Sequence, residues 1–294
     1  MAASRVAVIA TGDMGNNVGR LLREGGATVT TCLAGRSART AKLAEQAGIT
    51  AVPDDDELMA ECDVFLSIIP PGEAVALAQR IAKALQRTAA KPTYVDCNAI
   101  SSDTMRKIAD IVGATGAPVV DAGIIGPPPA KGSATKFYSS GPPAPAYDKL
   151  KEHGLDVRWV SGRIGDASQL KMCYGGLTKG LQALATTLMV SAERSGVGAA
   201  LSAELADSQQ ALLGWLDRQL PKMPSKAYRW VAEMEEGAAT LASAGLPAGM
   251  MQAAARLYDG IAATPLGQES PETRGLAPTR AAMVEQLAKM LGKR

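Results

Sequence analysis

At 294 residues the chain is long enough to bury a large core in one or two domains. Hydrophobic residues make up 47% and charged residues 20%, and the formal net charge of +2 supplies no field that would draw nucleic acid or an anionic membrane. The longest apolar runs, VFLSIIPP and LQALATTLMV, fall short of the roughly 20 residues that cross a bilayer.

The start, MAASRVAV, passes into a strand pattern without a signal-peptide layout, so a soluble, cytoplasmic protein is expected. Cys32, Cys62, Cys97 and Cys173 are scattered with no C-x-x-C, and the one histidine, His153, sits in a polar stretch that reads as a surface helix end. No metal site, disulfide framework or Ser-His unit is expected from such a pattern.

From Arg5 to about Gly162, β-rich apolar runs alternate with helical patterns. RVAVIA precedes MGNNVGRLLREG, ATVTTCL precedes SARTAKLAEQAG, DVFLSIIP precedes GEAVALAQRIAKAL, and TYVDCNA precedes SDTMRKIADIVGA. That alternation predicts a parallel sheet with helices on both faces. PVVDAGIIG, KFYSS and DVRWVS, interrupted by GPPPAKGS and GPPAPA, read as further strands toward a sheet edge. Beyond Gly162 alanine, leucine, methionine and glutamate dominate at a 3.6-residue period, so the second half is expected to be all helical. Its first helix is expected to start at Asp166, with Asp166 and Gln169 as a capping box, and to run to about Arg194 as the link between domains 1–163 and 164–294. The tail after Thr264 reads as a loop and a terminal helix, AAMVEQLAKML.

The stretch VIATGDMGNNVGR joins the first strand to the first helix, the setting of a dinucleotide-binding turn, with Ala10 where the first glycine of the fingerprint would stand. Gly12 leaves room for backbone to approach a pyrophosphate, Gly15 permits tight helix–strand packing, and the N–H groups of Asp13, Met14 and Gly15 form an anion site at the helix start. A ligand-free glycine bend is the alternative. The second strand ends in LAGRSART, without the acid that binds the ribose diol in NAD-preferring proteins. Arg36, Ser37 and Arg39 there fit a 2′-phosphate, which favours NADP(H); solvated helix-start residues are the competing reading.

Four motifs in order, ATGDMG (10–15), VDCNAIS (95–101), VVDAGIIGPPPAKG (119–132) and GDASQLKMCYGGLTKG (165–180), resemble the β-hydroxyacid dehydrogenases and their relatives, the 6-phosphogluconate dehydrogenases and imine reductases. With RWVAEMEEGA downstream, the chain resembles a branch whose C-terminal domain is one of unknown function. The resemblance spans nearly the whole chain. It implies an α/β Rossmann domain followed by an all-α domain that dimerises, hence a homodimer acting on a small molecule.

The same resemblance makes Lys171 the catalytic lysine, a proton donor to the carbonyl oxygen as hydride arrives and an acceptor in the reverse direction. On a helix Lys171 shares a face with Gly175 and Thr178; a lysine whose stem packs while its amine reaches water is the other reading. Asn98 is placed near the nicotinamide, while Asp96 is either a polar group of that site or the cap of the following helix. Pro70 and Pro71 match the family's bend over the cofactor, although two prolines also simply end a strand.

In the stretch Gly123, Ile124, Ile125, Gly126, Pro127, Ile125 stands where relatives carry a carboxylate-binding serine. Gly175 replaces an asparagine, with Tyr174 beside it as a substitute donor, and EMEE, Glu233 to Glu236, stands where relatives place a lysine. These departures point to a bulkier or amine-bearing substrate, unless the glutamates only coat an exposed helix. The expected activity is NADP(H)-dependent interconversion of a secondary alcohol and a carbonyl on a β-hydroxy acid or β-hydroxy-α-amino acid with an apolar substituent. Imine reduction and non-catalytic NADPH binding by a sensor or scaffold are the alternatives.

Overall fold

The computed structural model describes residues 4–270 and 275–292. Its first part is an eight-stranded sheet built from β1 (Arg5–Ile9), β2 (Thr28–Cys32), β3 (Thr50–Val52), β4 (Val64–Ser67), β5 (Thr93–Asp96), β6 (Val119–Ile125), β7 (Lys136–Ser140) and β8 (Asp156–Ser161). The order is β3-β2-β1-β4-β5-β6-β7-β8, parallel through β6; β7 pairs antiparallel with β6, and β8 runs parallel to β7. The helices of this part are α1 (Asp13–Glu24), α2 (Ala38–Gln46), α3 (Asp55–Ala60), α4 (Ala74–Thr88), α5 (Ser102–Gly113) and α6 (Pro145–Asp148).

The period-2 alternation of β1 divides its side chains between two cores. Val6 and Val8 pack with Val18 and Leu22 of α1, Ala44 of α2 and Tyr147 of α6. Ala7 and Ile9 pack with Leu58 of α3, Leu77 and Ile81 of α4 and Met105 and Ile108 of α5. A parallel sheet buried on both faces is the result, as the continuous apolar strands require.

All described elements after β8 are helical: α7 (Asp166–Arg194), α8 (Gly198–Ser208), α9 (Gln210–Gln219), α10 (Ala227–Ser243), α11 (Gly249–Ala262), α12 (Pro265–Gln268) and α13 (Arg280–Met290). Met189, Leu216, Leu220, Met234, Tyr258, Ile261, Met283 and Leu287 form their core. The Met251 side chain of α11 sits against Gly176 and Gly180 of α7 and Gly237 of α10, where added Cβ atoms would meet its Sδ or Cε at 3.1–3.6 Å. No helix of the described residues is long and apolar enough to cross a membrane.

The chain divides into two compact units between Met172 and Cys173, inside α7 and past the expected 163/164 boundary. The first turns of α7 belong to the sheet because Asp121 of β6 caps them. Its Oδ2 accepts the Gly165 and Ser168 N–H groups, each at 3.0 Å, its Oδ1 accepts the Ser168 hydroxyl at 2.7 Å, and Ser140 Oγ takes the Ala167 N–H at 2.9 Å. The capping box expected of Asp166 and Gln169 is therefore replaced by a carboxylate from another strand. Asp166 instead accepts the Ser161 hydroxyl at 2.6 Å and pairs with Arg163.

Candidate functional site

The turn from β1 into α1 separates the roles of its two glycines. Gly12, the N-cap of α1, has no side-chain cap, and nothing lies within 4 Å of where its Cβ would be. A Cβ on Gly15 would clash with the Ala10 carbonyl oxygen, so only glycine lets α1 lie against β1 there. Met14 is half-buried against the core beneath, and Asp13 begins the helix. The open ground over Gly12, at a helix N-terminus, fits the phosphates of a dinucleotide.

The segment after β2 has acids near it after all. Arg36 lies 3.5 Å from Glu73, which precedes α4, and Arg39 pairs with Asp13 at 2.7 Å. Sequence distance hid both carboxylates, which a sheet crossover brings back to the same edge. Ser37 caps α2, its Oγ accepting the Thr40 N–H at 3.2 Å.

At the ends of β4 and β5, Asn98 is a brace. Its Oδ1 accepts the Ile69 N–H at 2.7 Å and its Nδ2 donates to Ser67 Oγ at 2.8 Å, fixing the approach to Pro70 and Pro71. Pro70 is exposed, while Pro71 is buried at the start of a short 3-10 turn. Asp96 is buried, accepts the Asn98 N–H at 3.0 Å, and leaves the capping of α5 to Ser101. Burial pushes the Asp96 carboxyl up to about 7, and the charge of Asp121, its register partner on β6, acts in the same direction. Burial likewise raises Asp121, against the donors that cap α7.

Lys171 lies in the second turn of α7, where α7 crosses β6. A Cβ on Gly123 would meet Lys171 Cβ at 2.9 Å and the Ala167 carbonyl oxygen at 3.1 Å, so the glycine permits the crossing. The Lys171 amine donates to the carbonyl oxygen of Ile124 on the same strand. Ile125 ends that strand half-buried, and Gly126 turns the chain with φ 140°; a Cβ there would lie 2.8 Å from Thr135 Cα. An amine anchored by main chain at the carboxyl end of a parallel sheet stands where such sheets bind ligands.

In the helical unit, Tyr174 is exposed, Gly175 is buried, and the Thr178 hydroxyl donates back to the Tyr174 carbonyl at 2.9 Å. Among the acids of α10, Glu235 is exposed and Glu236 half-buried, whereas Glu233 pairs with Lys179 of α7. Lys179 is absent from the candidates named from the sequence; the signal was a second lysine eight positions after Lys171 in KMCYGGLTKG.

Residues 5–153 match the NAD binding domain of 6-phosphogluconate dehydrogenase, over half of the chain, and residues 192–261 match the domain of unknown function DUF1932. The chain belongs to the 6-phosphogluconate dehydrogenase NAD-binding family. Among solved structures, it is similar to a conserved protein of unknown function described as structurally similar to 3-hydroxyacid dehydrogenases (29% identity, 88% of this chain and 96% of that one, TM-score 0.66). The 3-hydroxyisobutyrate dehydrogenase of Mycobacterium tuberculosis, solved with L-serine, shares the fold at 20% identity, 97% and 99% coverage and TM-score 0.68. An imine reductase of Streptomyces aurantiacus does so at 17% identity, 97% and 99% coverage and TM-score 0.55. The family member described here is thus a nicotinamide-cofactor-binding protein, an α/β Rossmann domain followed by a helical domain, in a fold shared with 3-hydroxyacid dehydrogenases.

Proposed function

We propose that the protein is an NADP(H)-dependent oxidoreductase interconverting a secondary alcohol and a carbonyl, on a β-hydroxy acid or β-hydroxy-α-amino acid with an apolar substituent. The observation that carries this reading is Lys171, its stem against Gly123 and its amine on the Ile124 carbonyl at the end of β6. Gly12 and the N–H groups of Asp13, Met14 and Gly15 hold the pyrophosphate, Asn98 keeps the β4 and β5 ends open beside the nicotinamide, and Pro70 and Pro71 border it. Arg36, Ser37 and Arg39 take the 2′-phosphate, Arg36 by exchanging its 3.5 Å contact with Glu73 for a doubly charged oxyanion.

Bound cofactor supplies or accepts the hydride. In reduction Lys171 releases a proton from Nζ to the nascent alkoxide; in oxidation the neutral amine removes the hydroxyl proton. Ile124, Ile125 and Gly126 line an apolar side of the substrate, with Tyr174, Gly175 and Thr178 from later turns of α7 as further binding positions. Retention of Lys171 favours C–O over C=N chemistry, because an iminium needs less help from a proton donor than a ketone does. Leu177, Leu184 and Leu188, 54–71% exposed on α7, support a homodimer through the helical unit.

The test compares wild type and Lys171→Ala on 3-hydroxy acids, β-hydroxy amino acids and cyclic imines with NADP(H). Loss of alcohol oxidation in the variant is expected; full retention, or turnover of imines alone, contradicts the reading.

A further inference from the structure

Asp121 and Gly123 stand two residues apart on β6 and face the same side of the sheet, the side that the start of α7 crosses. Four groups donate to the Asp121 carboxylate. Oδ2 accepts the Ser140 hydroxyl, the Gly165 N–H and the Ser168 N–H, each at 3.0 Å, and Oδ1 accepts the Ser168 hydroxyl at 2.7 Å. Ser140, the register partner of Asp121 on β7, also accepts the Ala167 N–H at 2.9 Å. Three N–H groups at the start of α7 are therefore taken up by side chains of two strands.

A helix start needs no such arrangement for stability alone. Ser37, Ser101 and Thr279 cap α2, α5 and α13 from within their own turns. A local cap of that kind leaves the helix free to shift against its neighbours, whereas a cap from β6 fixes α7 on β6. Lys171 follows Ser168 by three residues and Ala167 by four, one turn along the same face, a rise of about 4.5–6 Å. Gripped at 167 and 168, α7 meets β6 again with the Lys171 Cβ over Gly123, and the Ile124 carbonyl takes the amine. Positions 121, 123 and 124 of one strand thus set the helix, the stem and the amine of one lysine, all within the first compact unit. The register continues the pattern, with Ser67 of β4 beside Asp96, Asp96 beside Asp121 and Asp121 beside Ser140, all four buried. Asn98 hangs from the same row, on Ser67 and Asp96.

We propose that Asp121 is the positioning residue for Lys171: through the start of α7 it sets where the amine stands at the end of β6, and it touches neither substrate nor cofactor. The assignment rests on the catalytic role of Lys171 proposed above. Every group around Asp121 is a donor, so a carboxylate satisfies all four, while an amide in its place turns a donor of its own on one of them. Without the grip, α7 can shift on β6, and a misplacement of about 1 Å lowers a rate on the order of a hundredfold. Binding of substrate and cofactor does not use Asp121 and is left intact.

A double-mutant cycle tests the assignment, read as single-turnover hydride transfer to NADP+ from whichever 3-hydroxy acid or β-hydroxy amino acid wild type oxidises fastest. Asp121→Asn is expected to lower the rate about 10- to 100-fold with Lys171 present and less than about twofold in Lys171→Ala, with KM and NADPH affinity within about twofold of wild type. Asp166→Asn, which removes another carboxylate from the same helix start, is the control and is expected to keep the wild-type rate. An equal fold loss in both backgrounds makes Asp121 a structural residue only and overturns the proposal, as does an unchanged rate in Asp121→Asn. Where Asp121→Asn fails to fold, Ser140→Ala, which removes only the Ala167 acceptor, repeats the cycle, with a loss of about 3- to 10-fold expected beside Lys171 and none without it. Amide hydrogen exchange needs no substrate: residues 164–172 are expected to exchange at least about tenfold faster in Asp121→Asn while β1 keeps its protection, and unchanged exchange there also overturns the proposal. Wild-type turnover in Lys171→Ala would sink the catalytic reading instead, and the exchange would still decide whether Asp121 holds the turn that carries Lys171.

Discussion

Two lysines on α7 are positioned by different means. Lys171 is placed by main chain: its amine sits on the Ile124 carbonyl, and its stem lies where Gly123 has no side chain. Lys179 is placed by side chains, the Glu233 carboxylate and the Trp230 indole. A backbone anchor survives substitution of its neighbours and leaves the amine available for proton transfer. A side-chain anchor depends on the identity of both partners.

The sharpest break in that comparison comes from removing the first amine. Lys171→Ala is expected to lower turnover by about 10²- to 10⁴-fold, the usual range for a general acid–base group, with NADPH affinity within about twofold of wild type by titration.

The glycines come next. Gly15→Ala forces a Cβ into the Ala10 carbonyl oxygen, and a loss of about 1–3 kcal/mol or more in denaturant unfolding is expected. Gly12→Ala meets nothing within 4 Å; it should cost under about 1 kcal/mol, the scale of an N-cap change, and instead weaken cofactor binding about tenfold. Equal effects of the two on stability would contradict the division of labour.

Arg36→Ala is expected to raise the KM for NADPH several-fold with little change for NADH, and Glu73→Gln to lower it by releasing Arg36. Equal NADPH affinity in Arg36→Ala would rule the 2′-phosphate role out.

Asp96 sets a defined pH window. Its folded-state pKa of about 7 exceeds the unfolded value near about 3.9, so the folded state holds the proton longer and stability declines as pH rises between those values. Asp96→Asn, neutral and of the same shape, is expected to flatten that decline, matching wild type near pH 4 and exceeding it in thermal melts at pH 8.

Much of the sheet was legible because its strands are apolar runs ended by glycine or proline, and the long helix was legible from its period. The elements that escaped are short. β3 has three residues, too few to show alternation, and α3 has six, although Asp54 accepting the Glu57 N–H at 2.9 Å is a capping signal written in DDDE. The Asp121 cap of α7 was not legible, since a carboxylate 44 residues before Gly165 shows no local pattern. For the same reason LAGRSART seemed free of acids, while Glu73 and Asp13 meet its arginines in space. Lys179 was visible but unmarked, because only the fold brings Glu233 and Trp230 to it.

The most direct test of the central claim is the single-turnover rate of hydride transfer after mixing the NADPH-loaded enzyme with a β-keto acid, for wild type and Lys171→Ala across pH. A drop of at least about a hundredfold in the variant, with the pH dependence of the rate removed, is the predicted result. Hydride transfer at the wild-type rate with the same pH profile would contradict it.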